Sequence, residues 1–548
     1  MSQNRHRSSL KISLLNPSDL PFVPRVGILS LHRHDEETSL DIPTPGFIAS
    51  TSRGVVPHLS RDHTCDTDAI RWAHVAFESF LEHIPPVPTQ YPGLHPLHKF
   101  LGFLPRKHVV SMTLRDPFDG REMPPNGTNF VSANCVRGVR KVTPADWRKY
   151  VLACDPDVVI ALPDIPFTST GYSQKRVTKS LERSTSWLAD LLHPLASDDF
   201  PSSNDLPHLN VFLHMAGGVI PAARKAFSNS LLQTLHDKEA EAIHPFKTLD
   251  EGVCGYTFDL VPLHRTLSLQ AQSSEASLLS APSLGQATSE ALDPTHNVPS
   301  PDTPSRIVDL LRASLALLPL SKPRLANSAG SPHEILVLIR DVGIDLFDAH
   351  WAQRAGDIGI ALDFTFPTPA MDASSTTYVL GHNLYDTKYA HDFSPFSDAF
   401  SGAIRTADDV RPICLCIACS PAPPPLSSII RHSKLDPEPS QRPAAPYTRA
   451  YIHHLLHTHE MSAHTFLVAH NLCVLDAFFA GIRRVLEERP QEFGSEVDRF
   501  LETYDGQMVL FGEARKAWAE VELTRGKGRL TREKEKQAEG TLGTVVEL

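Results

Sequence analysis

Short β-branched runs alternate with capped helical patterns along most of this chain, and that alternation limits the fold more than any other feature. Asp157-Val-Val-Ile-Ala-Leu162 and Leu209-Asn-Val-Phe-Leu-His-Met215 read as buried strands. Ser331-Pro-His-Glu334 reads as a capping box, with Ser at N-cap, Pro at N1 and Glu at N3. The helix it opens, 332–342, is expected to stop at Gly343, a residue suited to the left-handed position past a helix end. Ile344-Asp-Leu-Phe347 then reads as the next strand, and Thr143-Pro144 opens another helix ahead of the 157–162 run. Such alternation gives a parallel sheet with crossover helices. Over roughly 350 residues without a Gly-rich nucleotide fingerprint, a closed (β/α)8 TIM-like barrel is favoured over a doubly wound sheet.

Polar residues fall where the strands end. Asp164 sits just past the 157–162 run, Gly217-Gly218 just past the 209–215 run, and Asp348 closes the 344–347 run. In a barrel the C-terminal strand ends line the active face, so these residues are expected to converge there. Asp is also a common cap at strand ends, so position alone gives none of them a role.

Composition narrows the partners. The 548 residues are 41% hydrophobic and 21% charged, a globular balance, with 52 Lys+Arg against 63 Asp+Glu for a net charge of −11. A domain that grips nucleic acid by itself carries a basic excess. Any RNA contact here therefore needs a local patch or a partner. The sequence suggests no membrane-spanning segment. Met1 to Leu10 is polar and basic with no apolar run behind it, unlike a secretory signal. The expected location is cytoplasmic, which is compatible with a peripheral place at the mitochondrial outer membrane.

Two stretches read as insertions, about 265–306, rich in Ser, Ala and Leu, and about 420–446, rich in Pro. Three of the eight cysteines cluster as Cys414-x-Cys416-x2-Cys419. Three soft ligands in one turn read as a metal site, and a closed tetrahedral zinc site needs a fourth N or S ligand. The helical stretch that follows offers His453, His454, His457, His459, His464 and His470, and spacing does not choose among them. Leu472, Leu475, Phe479, Ile482 and Leu486 form an amphipathic seam. On a continuous helix His470 lies roughly 150° from that seam, leaving it able to face a metal or solvent.

Thr44-Pro45-Gly-Phe-Ile, Thr51-Ser-Arg-Gly54 and Pro57-His-Leu-Ser60 resemble the opening of the tRNA-guanine transglycosylases. Lys322-Pro-Arg-Leu325 and Gly343-Ile-Asp-Leu-Phe-Asp348 resemble the approach to that family's nucleophile. Thr448-Arg-Ala-Tyr-Ile-His-His-Leu-Leu456, Glu460 and His470-Asn-Leu472 are the most specific match, with Asn383 to Phe393 ahead of the cysteine loop. The resemblance implies an α/β fold: a (β/α)8 barrel over 1–400, an inserted zinc-binding subdomain over 401–490, and a C-terminal helical, charged tail over 491–548. It selects Cys414, Cys416, Cys419 and His470 as ligands of one structural Zn2+.

Members of this family exchange guanine for queuine or a precursor at wobble position 34 of tRNAs with GUN anticodons, through an Asp nucleophile and a second Asp. Asp348 stands at the nucleophile position. The Asp-Ser-Gly-Gly-Phe-Gln motif is replaced by Met112-Thr-Leu-Arg-Asp-Pro-Phe118, where Asp116 is a candidate stand-in for the missing acid but its neighbours give no Gly-Gly to admit a base. Cys254 to Asp259 is followed by none of the family's glycines, and Met215-Ala216 replaces a Gln. Asp164, Gly217 and Gly218 remain near base-recognition positions. An eroded pocket beside intact zinc ligands looks like the non-catalytic, accessory branch of the family. That implies a heterodimer with a catalytic queuine tRNA-ribosyltransferase subunit, tRNA met through the complex, and Asp348 as a vestige. The competing expectation is an active transglycosylase that uses Asp348 as nucleophile.

Overall fold

The computed structural model describes residues 8–33, 39–121, 123–165, 173–194, 208–278, 303–369, 377–406, 408–422 and 444–522. The bulk of both expected insertions, 279–302 and 423–443, and the charged tail from 523 lie outside the described residues.

Three N-terminal strands, β1 (Ser8–Leu14), β2 (Gly27–Arg33) and β3 (Leu40–Thr44), form an antiparallel sheet. Eight further strands close into a barrel: β4 (Gly46–Ser50), β5 (Trp72–Ala76), β6 (Val109–Thr113), β9 (Val158–Ile160), β10 (Val211–His214), β11 (Gly255–Asp259), β12 (Arg324–Asn327) and β13 (Leu346–Asp348). Each pairs in parallel with its neighbours, and β13 returns to β4. A hairpin of β7 (Val131–Cys135), largely buried, and β8 (Gly138–Val142), largely exposed, lies between β6 and β9 in the chain. All residues of β4, β5 and β6 are buried, as in strands covered on both faces.

The helices between strands are α1 (Arg61–Asp66), α2 (Pro96–Leu101), α3 (Pro144–Cys154), α4 (Gln174–Leu192), α5 (Pro221–Leu232), α6 (Asp237–Ala242), α7 (Leu260–Leu278), α8 (Thr303–Leu315), α9 (Pro332–Val342) and α10 (His350–Asp357). The (β/α)8 expectation therefore holds. Helix α9 spans the expected residues and stops at Gly343, whose φ is 70°. Its capping box closes on one side only. Ser331 accepts from the Glu334 N–H at 3.2 Å, but the Glu334 carboxylate accepts from the Gly330 N–H at 2.8 Å and meets His264 of α7 at 2.7 Å. At α3 both halves of the Thr143–Asp146 box are present. Helix α7 runs into the first expected insertion as far as Leu278.

The N-terminal sheet seals the barrel floor. Leu10, Leu29, Leu31 and Ile42 share one core with Trp72, Val109, Val158, Phe212, Leu325 and Leu346. Arg33 grips Asp157, just ahead of β9, with two bonds of 2.8 Å, and Arg25 pairs with Asp345, just ahead of β13. Such buried bidentate pairs fix geometry as well as charge.

Two compact units emerge. One comprises Met1–Gln353, Thr365–Ser374 and Leu472–Thr503 and contains the barrel. The other comprises Arg354–Phe364, Ser375–Asn471 and Tyr504–Leu548. The second holds the antiparallel pair β14 (Ile360–Leu362) and β15 (Gly381–Asn383), helix α11 (Arg449–His457) and a last helix over 509–522. Helix α12 (Met461–Glu488) runs from the second unit into the first, and α13 (Phe493–Thr503) follows it. The seam Leu472, Leu475, Phe479, Ile482 and Leu486 is buried throughout. Among the described residues α12 alone has the length and mean hydropathy (1.6) of a membrane span, yet 67% of that stretch is buried inside the protein, as in a core helix.

Candidate functional site

The second unit brings Cys414, Cys416, Cys419 and His470 together, all buried. The His470 Nδ1 lies 3.6 Å from the Cys414 Sγ, 3.7 Å from Cys416 and 3.4 Å from Cys419. Zinc bonded tetrahedrally to S at about 2.3 Å and N at about 2.05 Å puts those atoms about 3.6 Å apart. The spacing therefore suits a metal ion at the centre, and the donor set could bind zinc. The His470 Nε2 donates to the Leu362 carbonyl at 2.9 Å, which leaves the Nδ1 lone pair for a metal. Asn471 holds the same strand, accepting from Leu362 N–H at 2.8 Å and donating to Ile360 O at 3.0 Å.

Backbone contacts shape the cysteine loop. The Cys414 N–H donates to Ser401 O, the Cys419 N–H to the Cys416 sulfur, and the Ser420 hydroxyl to Cys414 O. Gly402 lies so close that a Cβ there would sit 2.1 Å from Cys419 O. Of the other histidines, His453 and His457 bond the carbonyls of Leu384 and Tyr385, His464 bonds that of Gly356, and His454 and His459 are exposed. A second group, Asp363, His382 and Asp398, lies close enough to hold a cation. It is threaded by Arg449, which meets Asp398 at 2.8 Å and His382 at 3.0 Å, so it reads as a charge network that already contains its cation.

At the barrel mouth, Asp348 is buried at the end of β13. Its two oxygens accept from the Ser328 and His350 N–H groups. Burial pushes its carboxyl up to about 7, against those bonds and aided by the charges of Asp259 and Asp116. The segment that replaces the glycine-rich motif is tied down beside it. The Asp116 N–H donates to Glu78 at 2.8 Å, Gly120 O accepts from Arg265 at 2.7 Å, and Phe118 stacks on His350 with ring centroids 3.5 Å apart. Burial also pushes Asp116 and Glu78 up to about 6.

Asp164 is buried, and its carboxylate is taken up within the chain. Arg176 grips it at 2.7 and 2.8 Å, Arg183 reaches it at 3.1 Å and Asn126 donates at 2.8 Å. Gly217 (φ 118°) and Gly218 (φ 56°) turn the chain into α5. A Cβ on Gly217 would lie 2.7 Å from the Arg224 nitrogen, and the Gly218 carbonyl accepts from Arg224 at 2.6 Å.

A polar layer in the barrel escaped the sequence reading. His74 bonds Ser111 at 2.8 Å, while Asp259 meets His214 at 3.3 Å and Asn327 at 2.8 Å. Burial holds His74 down at about 4, so it is neutral. Its signal was present: a His or Ser within each largely apolar run, Trp72-Ala-His-Val-Ala76, Val109-Val-Ser-Met-Thr113 and Val211-Phe-Leu-His214.

A closed parallel (β/α)8 barrel together with a buried Cys3His cluster defines a barrel protein with a candidate metal site. The chain belongs to the TGT, queuine tRNA-ribosyltransferase, family, whose sequence model matches residues 22–243 and 296–506. It is 26% identical over 465 residues to a protein of Schizosaccharomyces pombe, covering 84% of this chain and 79% of that one. It is 23% identical over 507 residues to a Danio rerio protein (86% and 95%) and 24% over 482 residues to one of Xenopus tropicalis (85% and 94%). All three relatives are named queuine tRNA-ribosyltransferase accessory subunit 2.

Proposed function

We propose that this chain is the non-catalytic subunit of a heterodimer in which a catalytic homologue exchanges guanine for queuine at wobble position 34 of tRNAs with GUN anticodons. The state of Asp348 carries the reading. An attacking carboxylate needs an ionised oxygen with open approach to the ribose. Here both oxygens are engaged by backbone N–H groups, the carboxyl is buried, and burial pushes it up to about 7, which disfavours its ionised form. The relatives' shared name supports the accessory role. The metal-bearing unit supports a partner: Phe393, Val410, Leu415 and Met461 are 75, 95, 71 and 81% exposed, more apolar surface than an isolated unit needs.

In this reading Cys414, Cys416, Cys419 and His470 hold one zinc ion whose work is structural. With four protein ligands the ion has no open position for water or substrate. It pins the cysteine loop against the Leu362 strand.

The rival is an active transglycosylase with Asp348 as nucleophile. Labelled-guanine exchange into tRNA separates the two, run with this chain alone, the catalytic homologue alone, and both. The accessory reading expects exchange to need the homologue and to be unchanged by Asp348→Ala. Exchange by this chain alone, abolished by that substitution, sinks it.

A further inference from the structure

The chain's acidic balance is uneven. From Arg121 to Lys149 it carries six basic residues (121, 137, 140, 141, 148 and 149) against two acids (122 and 146). From Gln174 to Arg183 it carries four (175, 176, 179 and 183) against one (182). These segments are the β7–β8 hairpin with α3, and the first turns of α4.

Several of these cations are committed. Arg121 is matched by Asp119 at 2.6 Å, Arg148 donates to the carbonyls of Asp190, His193 and Pro194, and Arg176 and Arg183 hold Asp164. Arg137, Lys141, Lys175 and Lys179 are different. All are exposed, and among the described residues none is in an ion pair.

The loop Asn126–Phe130 lies beside two of these groups, Lys141 and Lys179. Lys141 sits 4.6 Å over the Phe130 ring. Thr128 and Asn129 line an open groove of about 940 Å³ together with Lys179 and Arg148. Lys175 and Lys179 are four residues apart on α4, so they share one face. Arg137 is at the hairpin tip. Acids line the groove too, Glu182 and Asp190, beside the cations Arg148, Lys179 and Arg183. Because the hairpin follows β6, the strip lies on the C-terminal face of the barrel, on the side of the mouth where Asp116 and Phe118 stand.

We propose that the β7–β8 hairpin and the first turns of α4 form a docking strip for the phosphate backbone of RNA, with Arg137, Lys141, Lys175 and Lys179 as the contacting cations. The proposal rests on the accessory-subunit reading and adds the surface by which this chain meets tRNA. Exposed lysines act as point charges that suit phosphates and carry no base code. The engaged Asp348 and Asp164 leave the neighbouring mouth with little to read a base, so the strip fixes where the RNA lies, independently of sequence.

Backbone contact by lysine and arginine has a salt signature. Each phosphate neutralised adds close to one unit to the slope of log K against log salt, and loses it when the cation is removed. The test uses the full chain co-purified with its catalytic homologue and a tRNA substrate, with affinity measured across a salt series. The triple variant Arg137→Gln/Lys141→Gln/Lys179→Gln is expected to flatten the slope by about two to three units and to weaken binding at least tenfold at ~0.1 M salt. Glu182→Gln, on the same helix, is expected to tighten binding. Complex formation is followed separately by size-exclusion chromatography. An intact complex with unchanged affinity and slope overturns the strip and leaves the accessory reading standing. Loss of the complex in the triple variant makes this a protein interface and overturns the strip as well. No complex with the unaltered chain overturns the accessory reading, and the strip with it.

Discussion

Phe118 lies flat on His350, ring centroids 3.5 Å apart and planes 13° from parallel. His350 also gives its backbone N–H to Asp348, so the replaced loop is stacked on a residue that holds the inherited carboxylate.

The first prediction concerns pH. Asp348 has a folded-state pKa near 7, against about 3.9 in an unfolded chain. The folded state then binds the proton more tightly, so stability falls as pH rises from about 4 to about 7 and levels off above. Asp116 and Glu78, both near 6, act in the same direction over a narrower window. Asp348→Asn is expected to remove a slope worth on the order of 2–4 kcal/mol, with an offset of about 1 kcal/mol for one lost backbone bond. Urea unfolding at pH 5, 6, 7 and 8 reads both, and an unchanged slope in the variant refutes it.

A second prediction concerns the metal. Elemental analysis of the purified chain is expected to find one zinc per chain, and none in Cys416→Ser or His470→Ala. A closed site of this kind contributes apparent folding energy on the order of 10 kcal/mol. Chelation is therefore expected to lower Tm steeply, and zinc, rather than magnesium, to restore it.

Gly402 offers a finer probe of the same loop. The Cβ of Gly402→Ala would meet the Cys419 carbonyl at 2.1 Å, and backbone cannot swing aside as a side chain can. A cost of about 1–3 kcal/mol is expected, with weakened zinc retention against a competing chelator. Wild-type retention in that assay would show that the loop relaxes freely.

Asp164 is predicted to be a structural anchor. Asp164→Ala leaves Arg176 and Arg183 mutually repelling beside a buried loop. It is expected to cost about 2–4 kcal/mol, discounted from a fully buried pair because both arginines are partly exposed. Guanine exchange by the complex, compared at a temperature where the variant is folded, is expected to stay at the wild-type level.

The repeating parts of this structure were legible in the sequence because they follow local rules. Helix α9 shows its N-cap, proline and terminal glycine in the residues themselves. Strand β13 follows in the expected place, shifted to Leu346–Asp348. Three cysteines in one turn announce a metal without any fold. His470 was different: the helical seam left it able to face a metal, but only the family resemblance separated it from five neighbours. The clamps Arg33–Asp157 and Arg25–Asp345 were not legible, since their partners are 124 and 320 residues apart and obey no period. The barrel's polar layer was hidden for a related reason. A single His or Ser in an apolar run is a faint signal, and closure of the barrel is what brings His74, Ser111, His214, Asp259 and Asn327 into one layer.

The floor of the barrel also decides where this chain can be cut. Leu10, Leu29 and Leu31 belong to the barrel's own core, and Arg25 and Arg33 neutralise carboxylates that face no solvent. A shortened chain starting at residue 39 would expose that apolar floor and take the arginine partners from two buried carboxylates, Asp157 and Asp345. It is expected to fail as a soluble barrel although every barrel strand, the Cys3His cluster and the proposed strip were still present.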